Sequence, residues 1–224
     1  MTGWSVSTAM AATQKKRREV LSEYRCAQIL DAARNVFAKK GFAATKVEDI
    51  SSAAGIAKGT LYLYYRSKRD IYMAALREGI LALYEETRRN VDRAQSVQEK
   101  LRTFIFTRLH YFEENRDFFR IYHSDLGNLL TASGGVSKNF KDLQEKQAQL
   151  LESVLKEGIE QRLIRPLQTT AASFAIYDMT RALIARRLLS GERVKAERDA
   201  EFLTDLIWQG IGNSKKPRTR KVKR

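Results

Sequence analysis

Proline is almost absent from this chain, and that scarcity limits its architecture more than any other feature. Of 224 residues only Pro166 and Pro217 are proline. Inside a helix proline removes a backbone donor and clashes with the preceding turn, at a cost of ~3 kcal/mol, so a chain that avoids it leaves long helices open. Ala, Leu, Glu, Lys and Arg, all good helix formers, recur throughout. The expectation is an all-α protein of about nine helices. The length gives room for one large domain or two small ones. A composition of 43% hydrophobic and 30% charged residues is that of an ordinary globular protein. No apolar run approaches the ~20 residues that cross a bilayer, and Met1 to Ala12 lack the charged start and apolar core of a secretory signal. A cytoplasmic protein without a membrane partner is expected. The single cysteine, Cys26, excludes an internal disulfide and a cysteine metal cluster. It falls on the apolar stripe of the first helix and reads as a small buried hydrophobe.

The net charge is +15, and its distribution matters more than its size. Lys15, Lys16, Arg17 and Arg18 form one run. Lys215, Lys216, Arg218, Arg220, Lys221, Lys223 and Arg224 form another. Residues 1–22 read as a flexible basic arm and residues 213–224 as a basic tail, both suited to phosphates without regard to sequence. Solubility alone would leave the same composition, so the runs do not identify a partner.

A more specific pattern lies between them. From Tyr24 to Lys40 the apolar residues Cys26, Ile29, Leu30, Ala33 and Phe37 recur at helical spacing, and Gly41 stands at the usual stop position. Thr45-Lys46-Val47-Glu48 has the form of a capping box opening a short helix that carries Val47, Ile50 and Ala54 inward. Gly55 permits a left-handed turn, and a third helix runs from about Ala57 to Tyr64. Ser67-Lys68-Arg69-Asp70, another capping box, opens a fourth. Two short helices across a glycine turn, behind a longer supporting helix, make a helix-turn-helix candidate over residues 23–83. The side chains around the third helix strengthen it, since no acid stands between Asp49 and Asp70. Lysines, hydroxyls and main-chain amides hold phosphate oxygens, and the residues assigned to duplex contact are Lys46, Lys58, Gly59, Thr60, Tyr62, Leu63, Tyr64 and Lys68. Leu61 and Tyr65 are assigned to the core.

The stretch Thr45-Lys46-Val47-Glu48-Asp49-Ile50, continued by Ala54-Gly55-Ile56-Ala57-Lys58-Gly59-Thr60-Leu61-Tyr62-Leu63-Tyr64-Tyr65-Arg66-Ser67-Lys68, resembles the DNA-binding segment of TetR/AcrR-family transcriptional regulators. Ile29-Leu30-Asp31-Ala32-Ala33 and Phe37-Ala38-Lys39-Lys40-Gly41-Phe42 resemble what precedes it there. The resemblance implies an all-helical homodimer whose N-terminal domains enter successive major grooves of double-stranded operator DNA. It also implies a C-terminal domain that binds a small-molecule effector and thereby weakens DNA binding. Ala57, where the family usually has serine, loses a side-chain cap worth ~1 kcal/mol. Tyr65 replaces the usual phenylalanine, and its hydroxyl needs solvent or a partner. Leu63, at a variable position, can meet a thymine methyl.

Residues 84–212 read as a helical ligand-binding and dimerisation domain. Ser96-Val97-Gln98-Glu99 caps a helix whose apolar residues spread round the cylinder, which places it centrally. Residues 126–137, with three glycines, read as the main internal loop. A long helix follows with Leu143, Gln147, Leu151 and Leu155 on its inner stripe, and two more cover about Thr169–Leu189 and Ala196–Gly210. Polar groups set among aromatics mark ligand-pocket candidates: Phe104, Arg108, Phe112, Phe119, Tyr122, Tyr177 and Arg181. An ion pair of Asp178 with Arg181 or Arg108 accounts for the same residues equally well. Phe202, Leu206 and Ile207 belong to an apolar set too wide for one packed face, and are assigned to a dimer interface.

Catalysis finds no support. His110 and His123 fit no metal-ligand pattern, and no phosphate-binding glycine loop occurs. No catalytic residue, metal or cofactor is assigned, and the protein is not expected to be an enzyme. The function expected is that of a DNA-binding transcriptional regulator, a repressor released from a palindromic operator by a small-molecule ligand; the alternative is a ligand-independent, architectural DNA-binding protein whose helical domain only dimerises.

Overall fold

The computed structural model describes residues 3–116, 118–119, 135–190 and 195–213. Among them are eight helices: α1 (Gly3–Ala44), α2 (Val47–Ala53), α3 (Lys58–Tyr62), α4 (Lys68–Arg93), α5 (Val97–Glu114), α6 (Gly135–Glu160), α7 (Thr169–Ser190) and α8 (Ala196–Ile211). The all-α expectation holds. None of the described helices is long and apolar enough to cross a membrane.

The chain separates into two compact units. One comprises the residues up to Gly79 with Phe118 and Phe119, and the other comprises α4 from Ile80 onward with α5 to α8. In the first unit Ile29, Ala33 and Phe37 of α1, Ile50 of α2, Leu61 of α3 and Ile71 and Leu76 of α4 are fully buried. The Tyr72 ring meets Phe37 edge-on at 5.2 Å, Phe42 at 5.4 Å and Phe118 at 5.4 Å. The inward positions are those given by the helical spacing of the apolar residues.

Two local expectations change. α1 begins at Gly3, where a flexible arm over residues 1–22 was expected. Neither glycine nor proline stands between Trp4 and Lys40, and extending a helix already anchored by Ile29, Ala33 and Phe37 requires no new nucleus. The capping box also sits one residue later than its sequence suggested. The Thr45 hydroxyl donates to the Gly41 carbonyl at 2.6 Å, and the Lys46 amide donates to the Asp49 carboxylate at 2.9 Å. Gly41, at φ 76°, bends α1 and leaves its carbonyl open, so Thr45 closes the end of α1 instead of starting α2. α5 follows its sequence signal more closely: the Glu99 amide donates to Ser96 Oγ at 3.2 Å, while the Glu99 carboxylate accepts from the Gln95 amide at 2.9 Å.

In the second unit α5 packs against α6, α7 and α8, the central place expected of a helix apolar on every side. Leu101, Phe104, Ile105 and Leu109 of α5 are buried together with Leu151 and Leu155 of α6, Ile176 and Ile184 of α7, and Leu203 of α8. Arg187 of α7 donates to Asp199 of α8 at 2.6 Å and to the Lys195 carbonyl at 2.7 Å. An antiparallel bridge between Ile164 and Gly212 ties the end of α8 to the segment after α6. α6 already begins at Gly135, inside the expected loop, whose residues 126–134 lie outside the described ones. So do Tyr122, His123 and the basic tail beyond residue 213.

Candidate functional site

α2 and α3 are joined by a turn that their own backbone closes. The Ala54 amide donates to the Ile50 carbonyl at 2.9 Å, Gly55 to Ser52 at 3.1 Å and Ile56 to Ser51 at 3.0 Å. Gly55 takes a φ of 64°, the left-handed conformation that glycine adopts without a side-chain penalty. From the supporting helix, Gln28 donates through Nε2 to the Ala54 carbonyl at 3.0 Å and itself accepts from Arg25 at 2.9 Å. Sequence reasoning passed over Gln28; a polar residue directly before the buried Ile29 was the available signal. Tyr65 is half-buried, and burial first, then the nearby Cys26, hold its phenol above its ordinary value.

With Leu61 buried, the opposite side of α3 faces outward. Leu63 is 83% exposed, Tyr62, Gly59 and Lys58 are exposed, and Thr60 and Tyr64 are half-buried beside them. Lys46 is exposed at the start of α2. An exposed leucine between two tyrosines, at the end of a short helix that opens with an exposed lysine, is a surface made to meet something other than water. Two acids border it. Lys58 bonds to the Glu48 carboxylate and stands 5.9 Å from the Tyr62 ring centroid. Lys40 bonds to Asp49 at 2.7 Å. The hydrogen bonds from Lys58 and Lys40 hold Glu48 and Asp49 below the ordinary carboxylate range, and Glu48 holds Lys58 above its own.

Lys68 does not share this surface. Its ammonium donates to the carbonyls of Phe42 at 2.7 Å, Thr45 at 2.7 Å and Ala43 at 3.3 Å, and lies 4.6 Å from the Phe42 ring centroid. Three donors meet three carbonyls left open by the bend at Gly41. Lys68 therefore positions the corner between α1 and α2, a role that departs from the phosphate contact read from sequence.

In the second unit the notable group is Arg108, 2% exposed and among the largest fully buried side chains. It donates to Gln147 and, through Nε at 3.1 Å, to the Thr180 hydroxyl. The Tyr177 ring lies over the guanidinium at 4.2 Å and the Phe104 ring at 5.5 Å. Among the described residues its hydrogen-bond partners include no carboxylate. Burial pulls it down from its ordinary value, yet an arginine stays charged near neutrality. The structure thus brings together Phe104, Arg108 and Tyr177 of the proposed pocket. Phe112 lines a cavity of about 20 Å³ between α5 and α7, with Leu109, Glu113, Arg116, Ile184, Arg187 and Leu188. Thr180 and Ile184 on α7 face Arg108 and Phe112 on α5, so the cavity lies one helical turn beyond the buried guanidinium. Arg181 is exposed and pairs with Asp178 at 3.5 Å on the surface. Arg181 therefore does not join the Arg108 group. Phe119 belongs to the first unit, edge-on to Phe118 at 5.3 Å.

On α8, Phe202 and Leu206 are 62% and 49% exposed and four residues apart, hence on one face. Ile207 is 6% exposed and points into its own subunit with Leu203, so it leaves the set assigned to an interface.

Comparison with known proteins matches both units. Residues 29–75 fit the family model described as bacterial regulatory proteins, tetR family, and residues 94–185 fit that described as tetracyclin repressor-like, C-terminal domain. The HTH-type transcriptional repressor KstR2 of Mycobacterium tuberculosis is 30% identical over 139 residues, which is 62% of this chain and 68% of the relative. The fatty acid metabolism regulator protein of Bacillus subtilis is 22% identical over 187 residues, 83% of this chain and 95% of the relative. The crystal structure of the transcriptional regulator FadR from Bacillus subtilis in complex with stearoyl-CoA superposes with a TM-score of 0.71 at 22% identity, covering 83% of this chain and 98% of that one.

Proposed function

This chain belongs to the TetR family of DNA-binding transcriptional regulators, and we propose that it acts as a repressor, bound as a dimer to a palindromic operator and released by a small amphiphile. The observation that carries the DNA-binding half is the outward face of α3, with Leu63 83% exposed between Tyr62 and Tyr64 and Lys58 exposed at the helix start. Leu63 and Thr60 meet base edges in the major groove, and Lys46, Lys58 and Tyr64 fix the register on phosphates. A five-residue helix reads few base pairs, so two copies at a fixed separation supply the specificity, and half-site spacing follows from the dimer. The exposed Phe202 and Leu206 on α8 support a twofold interface, since pairing buries the same patch on each subunit.

Arg108 supports the effector half. A buried guanidinium among neutral partners and aromatic rings, next to a cavity lined by Leu109, Phe112, Ile184 and Leu188, suits a hydrocarbon body with an anionic or thioester head. FadR of Bacillus subtilis, solved with stearoyl-CoA, has a ligand of that kind. The cavity holds little more than a water molecule, so the effector favours a conformation in which α5 and α7 stand further apart. Release follows only if that conformation binds operator less tightly, because equal affinity for both shifts nothing.

The test is to select bound fragments from genomic DNA, footprint them, and challenge the complex with acyl-CoA thioesters of increasing chain length. A symmetric footprint lost on addition of one of them is the expected result. A footprint without twofold symmetry, indifferent to the whole series, would overturn the proposal.

A further inference from the structure

α1 continues well past the core it supports. Ile29 and Leu30 are its first buried residues, and from Thr13 to Tyr24 every described side chain is exposed. At 1.5 Å per residue this stretch is about 18 Å long. Its face is set by Gln28, whose bond to the Ala54 carbonyl directs that side of α1 at the turn leading into α3. Tyr24, Leu21 and Arg17 precede Gln28 by four, seven and eleven residues, so they continue the same face turn by turn. Arg18 and Arg25 flank it. Glu19 and Glu23, the two acids of the stretch, fall on the opposite face at 100° per residue. Arg17, Arg18, Arg25 and Tyr24 therefore stand on the side of the helix-turn-helix, while Glu19 and Glu23 share the far side with Lys16.

We propose that this overhang is a second duplex-contacting element, laid along the phosphate strand beside the groove that α3 enters. The inference rests on the reading of α3 as the groove-entering helix. Arg17 and Arg18 neutralise phosphates, the Tyr24 hydroxyl donates to one, and the exposed Val20 and Leu21 cover the adjoining sugars. A polyanion is the occupant that uses a face carrying arginines and a tyrosine and no acid. An apolar protein surface would cover Leu21 and Tyr24 but strand the two guanidinium groups.

The experiment compares the full chain with its Arg17→Gln/Arg18→Gln variant, titrating salt against the selected operator and an unrelated duplex. These side chains are exposed, so the variant should fold as the parent does. Each lost phosphate contact flattens the slope of log K against log salt by about 0.9, so a change of about 2 per subunit is expected on both duplexes. The ratio of operator to unrelated affinity should stay the same. The slope reports the overhang and the ratio reports α3, so the two can fail apart. An unchanged slope overturns the overhang as a DNA element. A flattened slope without any operator preference upholds it and overturns the groove reading alone. If Leu21→Ser dissolves a higher-order assembly of the DNA-free protein while leaving the salt slope intact, the face binds another copy, and the proposal is overturned.

Discussion

The cations assigned to the two candidate sites, one site in each unit, are placed in opposite ways. In the first, Lys46 and Lys58 stand at the surface, with Glu48 holding Lys58. In the second, Arg108 is sealed inside, with aromatic rings and neutral oxygens where a carboxylate would ordinarily stand. A surface ion pair exchanges one anion for another at small cost, since exposed pairs are worth ~0–1 kcal/mol. A buried cation has no such exchange open to it and is stabilised only by what surrounds it. The contrast matches two tasks. In the proposed function, the first unit takes up and releases a polyanion, and the second holds a preference that a matching ligand satisfies.

The sharpest break between the units comes from association. Leu206→Glu on α8 alters no residue of the first unit, yet should yield monomers whose operator affinity falls at least a hundredfold. Sedimentation together with gel shifts measures both quantities. A variant that is monomeric and still binds tightly would remove the twofold from the account. Next in size is Lys68→Ala, which leaves the carbonyls of Phe42, Ala43 and Thr45 without their charged donor. Charge-assisted bonds of this kind contribute ~1.5–3 kcal/mol, so denaturant unfolding of the first unit should shift by about 2 kcal/mol. Lys46→Ala should leave stability alone and flatten the salt dependence instead. Equal effects from the two lysines would erase the distinction between a positioning and a phosphate-binding lysine.

Arg108→Met sharpens the comparison from the second unit. Replacing a buried charge by an apolar side chain of similar volume is often neutral or stabilising. Stability should therefore change by less than about 1 kcal/mol while release by acyl-CoA is lost. Lost stability with intact release would make Arg108 a structural group only. The smallest effect is expected of Glu48→Gln, which frees Lys58 from its internal anion. Affinity for all duplexes should rise by a few fold, as measured by anisotropy. No change would mean that Lys58 does not reach phosphate.

The first unit was more legible in the sequence than the second because its determinants are local. Gly55 and Ser67 act within a few residues of themselves, and each stands at the helix boundary that the sequence marks. The inward set Ile29, Ala33, Phe37, Ile50 and Leu61 follows from periodicity alone. What escaped depends on partners distant in the chain. Lys68 finds carbonyls more than twenty residues earlier, and Gln28 finds one twenty-six residues later. Arg108 was singled out correctly as an anomaly in an apolar helix. Its companions could not be sorted by spacing, because the exposed Arg181 differs from its buried neighbours, as the buried Ile207 does from the exposed Leu206, only in the rotation of a helix. The start of α1 was misread for the converse reason, since composition registered its charge but not its uninterrupted helix formers.

The central claim is that the outward face of α3 reads the operator. It is tested most directly by the Thr60→Ala/Leu63→Ala variant, with folding checked by circular dichroism and binding to the selected operator and an unrelated duplex measured at one salt concentration. Base-edge contacts are worth ~1–3 kcal/mol each, so the account predicts at least a tenfold loss on the operator and little change on the unrelated duplex. Undiminished preference for the operator in a folded variant would contradict it.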